Sequence, residues 1–346
     1  MKLTYDTLFD AVVTILTGNG VREDAARVMA ESLVRANARG IHSHGVKYLK
    51  MITARIKAGM MEISQQPAVI QASRGISLVD GKNGPGQVAA NLAMEQTLER
   101  AAEYGIAMTL VRNTNNIGFL SFYSMMAASR DMIGICACNA ASSISLWGGM
   151  EPVLGSNPIS LAFPTDGELP LVMDLSVSNV ARGKIREADR LGNKIPPTWA
   201  FGPDGQPTED PAEALKGVLM PIGGPKGVAL AIAVDILAGV LSGSKYSRDV
   251  KTFHKLTGET GVGAFFIAID PKEFIAPSLL KTLLSEYMGN IRNIEKAENV
   301  DQLYLPGEIE NGKEAASREA GIDLDAGTVE MMNEFLAEAG SDVRLG

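Results

Sequence analysis

The chain of 346 residues is short of the groups that mark several common chemistries. It has two cysteines, Cys136 and Cys138. Spaced two apart in the strand-like stretch IGICACNA, they project from one face of a strand. That geometry does not suit a disulfide, and no further cysteine completes a zinc site. They read as small buried apolar residues. Positive charge is also scarce, with 32 Lys and Arg against 40 Asp and Glu for a net charge of −8. The cations are dispersed, so no basic face awaits a phosphate backbone and nucleic acid is not an expected partner. Long apolar runs are missing too. The most apolar stretch, 227–243, carries Asp235 at its middle, is shorter than a bilayer requires, and reads as a buried helix. The opening MKLTYDTLFDAVV places Asp6 and Asp10 where a signal peptide needs an unbroken apolar segment, so the expected location is the cytoplasm, away from membranes.

Histidine is rare as well, yet two of the three lie side by side. In NARGIHSHGVKYL, residues 37–49, His42 and His44 flank Ser43. Upstream, Ala25, Val28, Met29, Leu33 and Ala36 recur at helical spacing, and downstream Val46, Leu49, Ile52 and Ile56 start a second apolar stripe. The polar trio falls at a helix junction, with Gly40 ending the first helix and Ser43 as the N-cap of the second. His44 is then expected near a helix N-terminus, whose dipole lowers its pKa and leaves an imidazole able to exchange a proton with an alcohol or alkoxide. The plainer reading is a Ser-His pair that caps and packs a helix end. A metal site on His42 and His44 would need ligands that the sequence does not offer, so no metal is expected.

The first ~65 residues read as helical, and from Ile76 the pattern changes to strands punctuated by glycine, which puts a boundary near residue 70. Gly84, Gly86 and Ala89 satisfy G-x-G-x-x-A, but the next strand (IAMTLVRN) ends without the acidic residue that would hold a ribose, so a Rossmann unit is not expected. The Asn113–Asn116 loop, the Trp147-Gly148-Gly149 turn and the 154–158 loop lie at strand ends, where backbone amides collect around ligands or glycine and asparagine simply make tight turns. Asp174 and Ser176, at the end of the strand PLVMDLSVS, can meet ribose hydroxyls and phosphate, or merely cap the next helix. Lys226 lies in a glycine loop before an apolar helix, a setting for an anion although not a Walker loop. His254 has no polar company in sequence and is expected on the surface.

Taken in order, RGIHSHGV, VRNTNNIGF, WGGMEPVLGSNPIS, VMDLSVSNVARGKI, GGPKG and LPGE resemble the malate/L-lactate dehydrogenase-like family along nearly the whole chain. The resemblance implies an α/β (α+β) fold that is not a Rossmann fold: a mixed, largely antiparallel sheet core with helical N- and C-terminal segments packed together. It implies a helical unit from 1–70 with about 300–346, and an α/β core from 71–150 and 151–299. It further implies a homodimer, a nicotinamide cofactor (NAD or NADP) and a small 2-oxo or 2-hydroxy acid substrate. By the same resemblance, His44 is the proton donor with Ser43 beside it, while Asp174, Leu175, Ser176, Lys226, Gly227, Pro306, Gly307 and Glu308 contact the cofactor.

Two departures stand out. Tyr48 occupies the place of an arginine suited to clamping a carboxylate, for which Lys47 or Arg55 are the candidate replacements. Asn116 replaces a histidine that serves some members as base; an amide takes no proton at neutral pH, so Asn116 can only orient or hydrogen-bond the substrate. The expected function is interconversion of a 2-oxo acid and its 2-hydroxy acid. The rivals are reduction of a cyclic imine carboxylate and a cofactor-binding homologue with impaired catalysis.

Overall fold

The computed structural model describes residues 1–167 and 169–346. The N-terminal segment is helical, as its periodicity demands. α1 (Tyr5–Gly18) is opened by Thr4, whose hydroxyl accepts from Thr7 N–H at 3.1 Å. α2 (Glu23–Ala38) carries Glu23 and Asp24 in its first turn, where carboxylates meet the positive end of the dipole. It stops at Gly40 (φ +74°), where Ile41 N–H donates to the Ala36 carbonyl and Gly40 N–H to that of Asn37. Glycine permits this left-handed ending.

The chain then departs from expectation. His42–His44 and Val46–Tyr48 form two tight turns, and α3 spans Leu49–Lys57. Ser43 therefore caps no helix, and His44 stands before a helix start instead of at one. The cause is Asn37, whose Oδ1 accepts Val46 N–H at 2.7 Å while its Nδ2 lies 3.3 Å from His42 Nδ1. Asn37 satisfies the donor that a capping serine would have taken, and its amide lies where a Cβ on Gly45 would sit, 1.9 Å from Oδ1.

The main sheet contains β1 (Ala68–Ser73), β2 (Ile76–Asp80), β3 (Ile106–Thr114), β4 (Ile133–Cys138), β5 (Ile159–Phe163), β6 (Leu171–Leu175) and β7 (Val262–Ile269). Their spatial order is β1-β2-β3-β7-β4-β5-β6. Only β2 and β3 run parallel among the described pairs; the other neighbours are antiparallel. This is a mixed, largely antiparallel sheet, and it draws strands from both sides of residue 150. The parallel pair is joined by α4 (Gly86–Tyr104), at whose start lies the G-x-G-x-x-A sequence. A Cβ on Gly86 would meet the carbonyl oxygens of Asn116 at 2.3 Å and Asn115 at 2.5 Å. Backbone carbonyls fill the space that this motif gives a dinucleotide phosphate, and they repel an anion. The glycine serves chain packing.

α4 lays Ala89, Ala93, Met94 and Leu98 over the sheet, and α5 (Ser121–Ala128) adds Tyr123 against Phe266. A second core, around Ile144, Val177, Ile185 and Ala231, sits beside four short strands and involves α6 (Arg182–Leu191) and α7 (Pro225–Asp235). The expected buried helix buries one side only. Val228, Ala231 and Val234 face inward, whereas Ile232, Ile236, Val240 and Leu241 on α7 and the turn that continues it are exposed.

The two ends of the chain share a third core, in which Leu8, Ile15 and Leu33 meet Ile322, Met332 and Leu336. The long helix α8 (Pro277–Arg292) precedes the C-terminal helices α9 (Glu308–Ala320) and α10 (Ala326–Glu338). α9 is pinned to α2 by Glu314, which accepts from Arg35 at 2.8 Å and Arg39 at 2.6 Å and also pairs with Arg318 at 3.1 Å. Burial alone would raise the Glu314 pKa, but Arg35 and Arg39 outweigh it and hold the carboxylate below its usual range. Removing one partner of such a buried pair leaves an uncompensated charge. Glu314→Ala is expected to cost about 3–5 kcal/mol, read as a lower urea midpoint; an unchanged midpoint would show that the ion cluster does not hold the termini together.

Candidate active site

The junction turn gathers an aromatic and imidazole cluster. Ser43 Oγ lies 3.0 Å from His44 Nδ1, and the His44 ring stacks on Tyr48 with centroids 5.7 Å apart and planes at 11°. Tyr48 stacks in turn on Phe253 at 5.5 Å, and its hydroxyl is 3.3 Å from His254 Nε2. His254 lies at the surface as expected, and its ring is bound into the cluster. Arg55 explains why. Its guanidinium donates to the carbonyls of Lys255 at 3.0 Å and Gly258 at 2.6 Å and lies over the Phe253 ring, fixing the loop that carries His254.

His44 is enclosed by protein on most sides and only partly open to solvent. Burial, with a smaller contribution from His254, pushes its pKa down to about 4. The lowered value comes from desolvation of the imidazolium and not from a helix dipole. At neutral pH the ring is a free base. Tyr48 is pushed up to about 12, also by burial, so its phenol keeps the proton.

The expected cations have other duties. Lys47 Nζ pairs with Asp325 at 2.9 Å, an exposed contact that helps hold the Asp325 carboxyl at about 2. Arg55 is buried and committed to the loop carbonyls. Neither points to His44, because each finds a stronger partner among fixed oxygens. The cation near Tyr48 and His254 is Arg186 on α6, whose charge is felt at both. Asn116 uses its Oδ1 to accept Gly118 N–H at 2.9 Å, which leaves its amide nitrogen free to donate.

A second set of residues lies along the end of β6. Asp174 accepts Ser121 N–H at 2.8 Å, at the start of α5, and is solvent-accessible but closely surrounded, so burial raises its carboxyl pKa against the lowering effect of that bond. Leu175, at the end of this edge strand, is 39% exposed. Ser176 Oγ is held in a turn with Ser178. The loop before α7 joins this strand end through Ile222 N–H, which donates to Val177 at 2.9 Å. The first turn of α7 presents Lys226, exposed and without an ion-pair partner among the described residues, and buried Gly227, whose Cβ would stand 2.2 Å from the Ile222 carbonyl. Gly307 (φ +85°) abuts the other flank of β6, where a Cβ would be 2.9 Å from the Val172 carbonyl. Pro306 is exposed beside it. Glu308 closes its own loop, accepting Leu305 N–H at 2.8 Å and pairing with Arg292. A carboxylate for hydroxyls, an apolar strand end, and a lysine at a helix N-terminus make a donor set that suits a dinucleotide.

Two open hollows lie elsewhere, one beside Tyr104 and Phe274 and one between α3 and α10. Chemistry, and not enclosure, marks this site. Neither His254 nor Arg186 carried a sequence signal, since no spacing relates them to residue 44.

A desolvated imidazole stacked on Tyr48 is chemically able to exchange a proton, and a carboxylate with a lysine at a helix N-terminus is chemically suited to a nucleotide. Comparison with known proteins sharpens this. The family model described as malate/L-lactate dehydrogenase matches residues 3–333, and the chain belongs to that family. It is 33% identical to L-sulfolactate dehydrogenase of Methanocaldococcus jannaschii over 96% of this chain and 95% of the relative. It is 36% identical to the Delta(1)-pyrroline-2-carboxylate reductase of Ancylobacter novellus over 90% of each. The crystal structure of malate dehydrogenase from Entamoeba histolytica superposes with a TM-score of 0.95 at 31% identity, covering 100% of this chain and 99% of that one. The chain is accordingly an oxidoreductase of the nicotinamide-dependent kind.

Proposed function

We propose that this protein is a cytoplasmic NAD- or NADP-dependent dehydrogenase that interconverts a small 2-oxo acid and its 2-hydroxy acid, with His44 passing the proton. The observation that carries this reading is the desolvated imidazole of His44, kept neutral by burial and reachable from solvent. In the oxidising direction Nε2 takes the proton of the substrate hydroxyl. For that lone pair to be free, Nδ1 carries the hydrogen and donates to Ser43 Oγ. The bound nicotinamide supplies or accepts the hydride. In the reducing direction the same nitrogen returns the proton, and a substrate anion beside the ring favours the imidazolium that does so. Asn116 donates from its amide nitrogen to the substrate oxygen.

Asp174 receives ribose hydroxyls, Ser176 and Lys226–Gly227 meet phosphate, and Leu175, Pro306 and Gly307 supply the close walls; Glu308 serves by shaping its loop. In this reading the helical unit of residues 1–70 and 300–346 contributes the imidazole, and residues 71–299 most of the cofactor bed. A second copy of the chain covers the uncharged stripe of Ile232, Ile236 and Val240, all exposed in the single chain. Homodimer interfaces are the most apolar class, and a two-fold interface needs only one such patch.

A second substrate class has support in the 36% identity to a pyrroline-carboxylate reductase, since the same donor can protonate a cyclic imine carboxylate. Nicotinamide absorbance followed against a panel of 2-oxo acids and cyclic imine carboxylates, with both cofactors, separates the two; no turnover of either class would refute both. His44→Ala is expected to lower kcat by ~10²-fold or more while leaving cofactor affinity unchanged, and undiminished turnover would remove the imidazole from the mechanism. Ile236→Asp is expected to turn a dimer into a monomer in sedimentation experiments. A monomeric parent protein would contradict the proposed interface.

A further inference from the structure

A family member that reduces 2-oxo acids must hold a carboxylate, yet Tyr48 stands where an arginine would clamp it, and both neighbouring candidates are occupied. Lys47 is tied to Asp325, and Arg55 to the carbonyls of Lys255 and Gly258. The groups left around the imidazole are different in kind. Tyr48 lies against His44 and holds its hydroxyl 3.3 Å from His254 Nε2. His254 is exposed on a loop that Arg55 fixes from below and Phe253 anchors, with Phe253 only 7% exposed. Arg186 projects from α6, exposed and with no ion-pair partner among the described residues, close enough for its charge to act on both Tyr48 and His254. Among the described residues no carboxylate acts on the charge of His254 or Tyr48. The Tyr48 hydroxyl and His254 Nε2 have, among the described residues, only each other as side-chain partners, and Arg186 brings a cation with no ion-pair partner.

We propose that Tyr48, His254 and Arg186 together form the subsite for the substrate carboxylate, replacing the single arginine of the family pattern. The subsite rests on the oxo-acid or imine-carboxylate reading and specifies where such a substrate lies. Tyr48 donates its phenolic hydrogen, which its raised pKa keeps in place. His254 donates from Nε2 once the hydroxyl of Tyr48 has turned to the carboxylate, and Arg186 supplies the charge. A carboxylate there lies next to the Tyr48 edge of His44, so the adjacent carbonyl or imine carbon comes within reach of the proton donor. The arrangement replaces one planar fork with three separate donors, which tolerates more variation in the group beyond the reacting carbon than a bidentate clamp does.

The test is steady-state kinetics of the purified enzyme with whichever carboxylate substrate it turns over, alongside the methyl ester of the same compound. His254→Gln, Arg186→Gln and Tyr48→Phe are each expected to raise KM for the acid about tenfold or more, as loss of a hydrogen bond to a charged group does. They are expected to change kcat by less than about threefold. KM for the ester, which lacks the charge, stays as in the parent enzyme. Circular dichroism and cofactor binding followed by fluorescence confirm that each variant is folded and loaded. An unchanged KM for the acid in all three variants, or an equal rise for acid and ester, overturns the subsite while the dehydrogenase reading stands. A parent enzyme that turns over no oxo acid or imine carboxylate overturns both.

Discussion

The fold depends on a buried carboxylate. Glu314 draws Arg35, Arg39 and Arg318 together, and so binds the last third of the chain to its first 40 residues. Arg39 immediately precedes the glycine that ends α2, and α9, which carries Glu314, begins directly after Gly307. Satisfying one charge thus fixes the turn bearing His44 relative to a loop beside β6. Such an ion cluster contributes less net stability than its short distances suggest, because each ion has first to be desolvated. Its larger effect is on register: only one docking of α9 on α2 pairs the groups.

The same trade between burial and charge governs the imidazole. A histidine in water would be partly protonated near neutrality; enclosed by Tyr48 and its own turn, His44 gives up that charge and becomes a base. Among the described residues no carboxylate acts on its charge to restore the proton, unlike the many buried histidines that are held by an acidic partner. The charge that completes the site is left for the substrate to bring, which couples binding to protonation.

Much of this was legible in the sequence, and the parts that were not share a cause. The helical stripes of residues 5–57, the glycine that ends α2 and the strand carrying Asp174 follow from periodicity and backbone freedom, which are local properties. The family resemblance supplied the sheet class. Side-chain direction is not local. Lys47 and Arg55 bear charge in the right neighbourhood, but only packing decides that one turns to Asp325 and the other to loop carbonyls. Ser43 has the composition of a cap, and Asn37 from the preceding helix does part of that work instead. His254 lies about two hundred residues from Tyr48, and no pattern in the sequence announces the hydrogen bond between them. Gly86 was a fingerprint residue by spacing, and its actual neighbours are two carbonyl oxygens.

The central claim is that His44 rests as a neutral base. With three histidines in the chain, nitrogen-15 NMR of the imidazoles across pH can follow each one, assigned by substituting His42 and His254 in turn. The account predicts that His44 keeps its hydrogen on Nδ1 and stays neutral until the pH approaches about 4. A titration at the ordinary histidine value of 6.5 would contradict it.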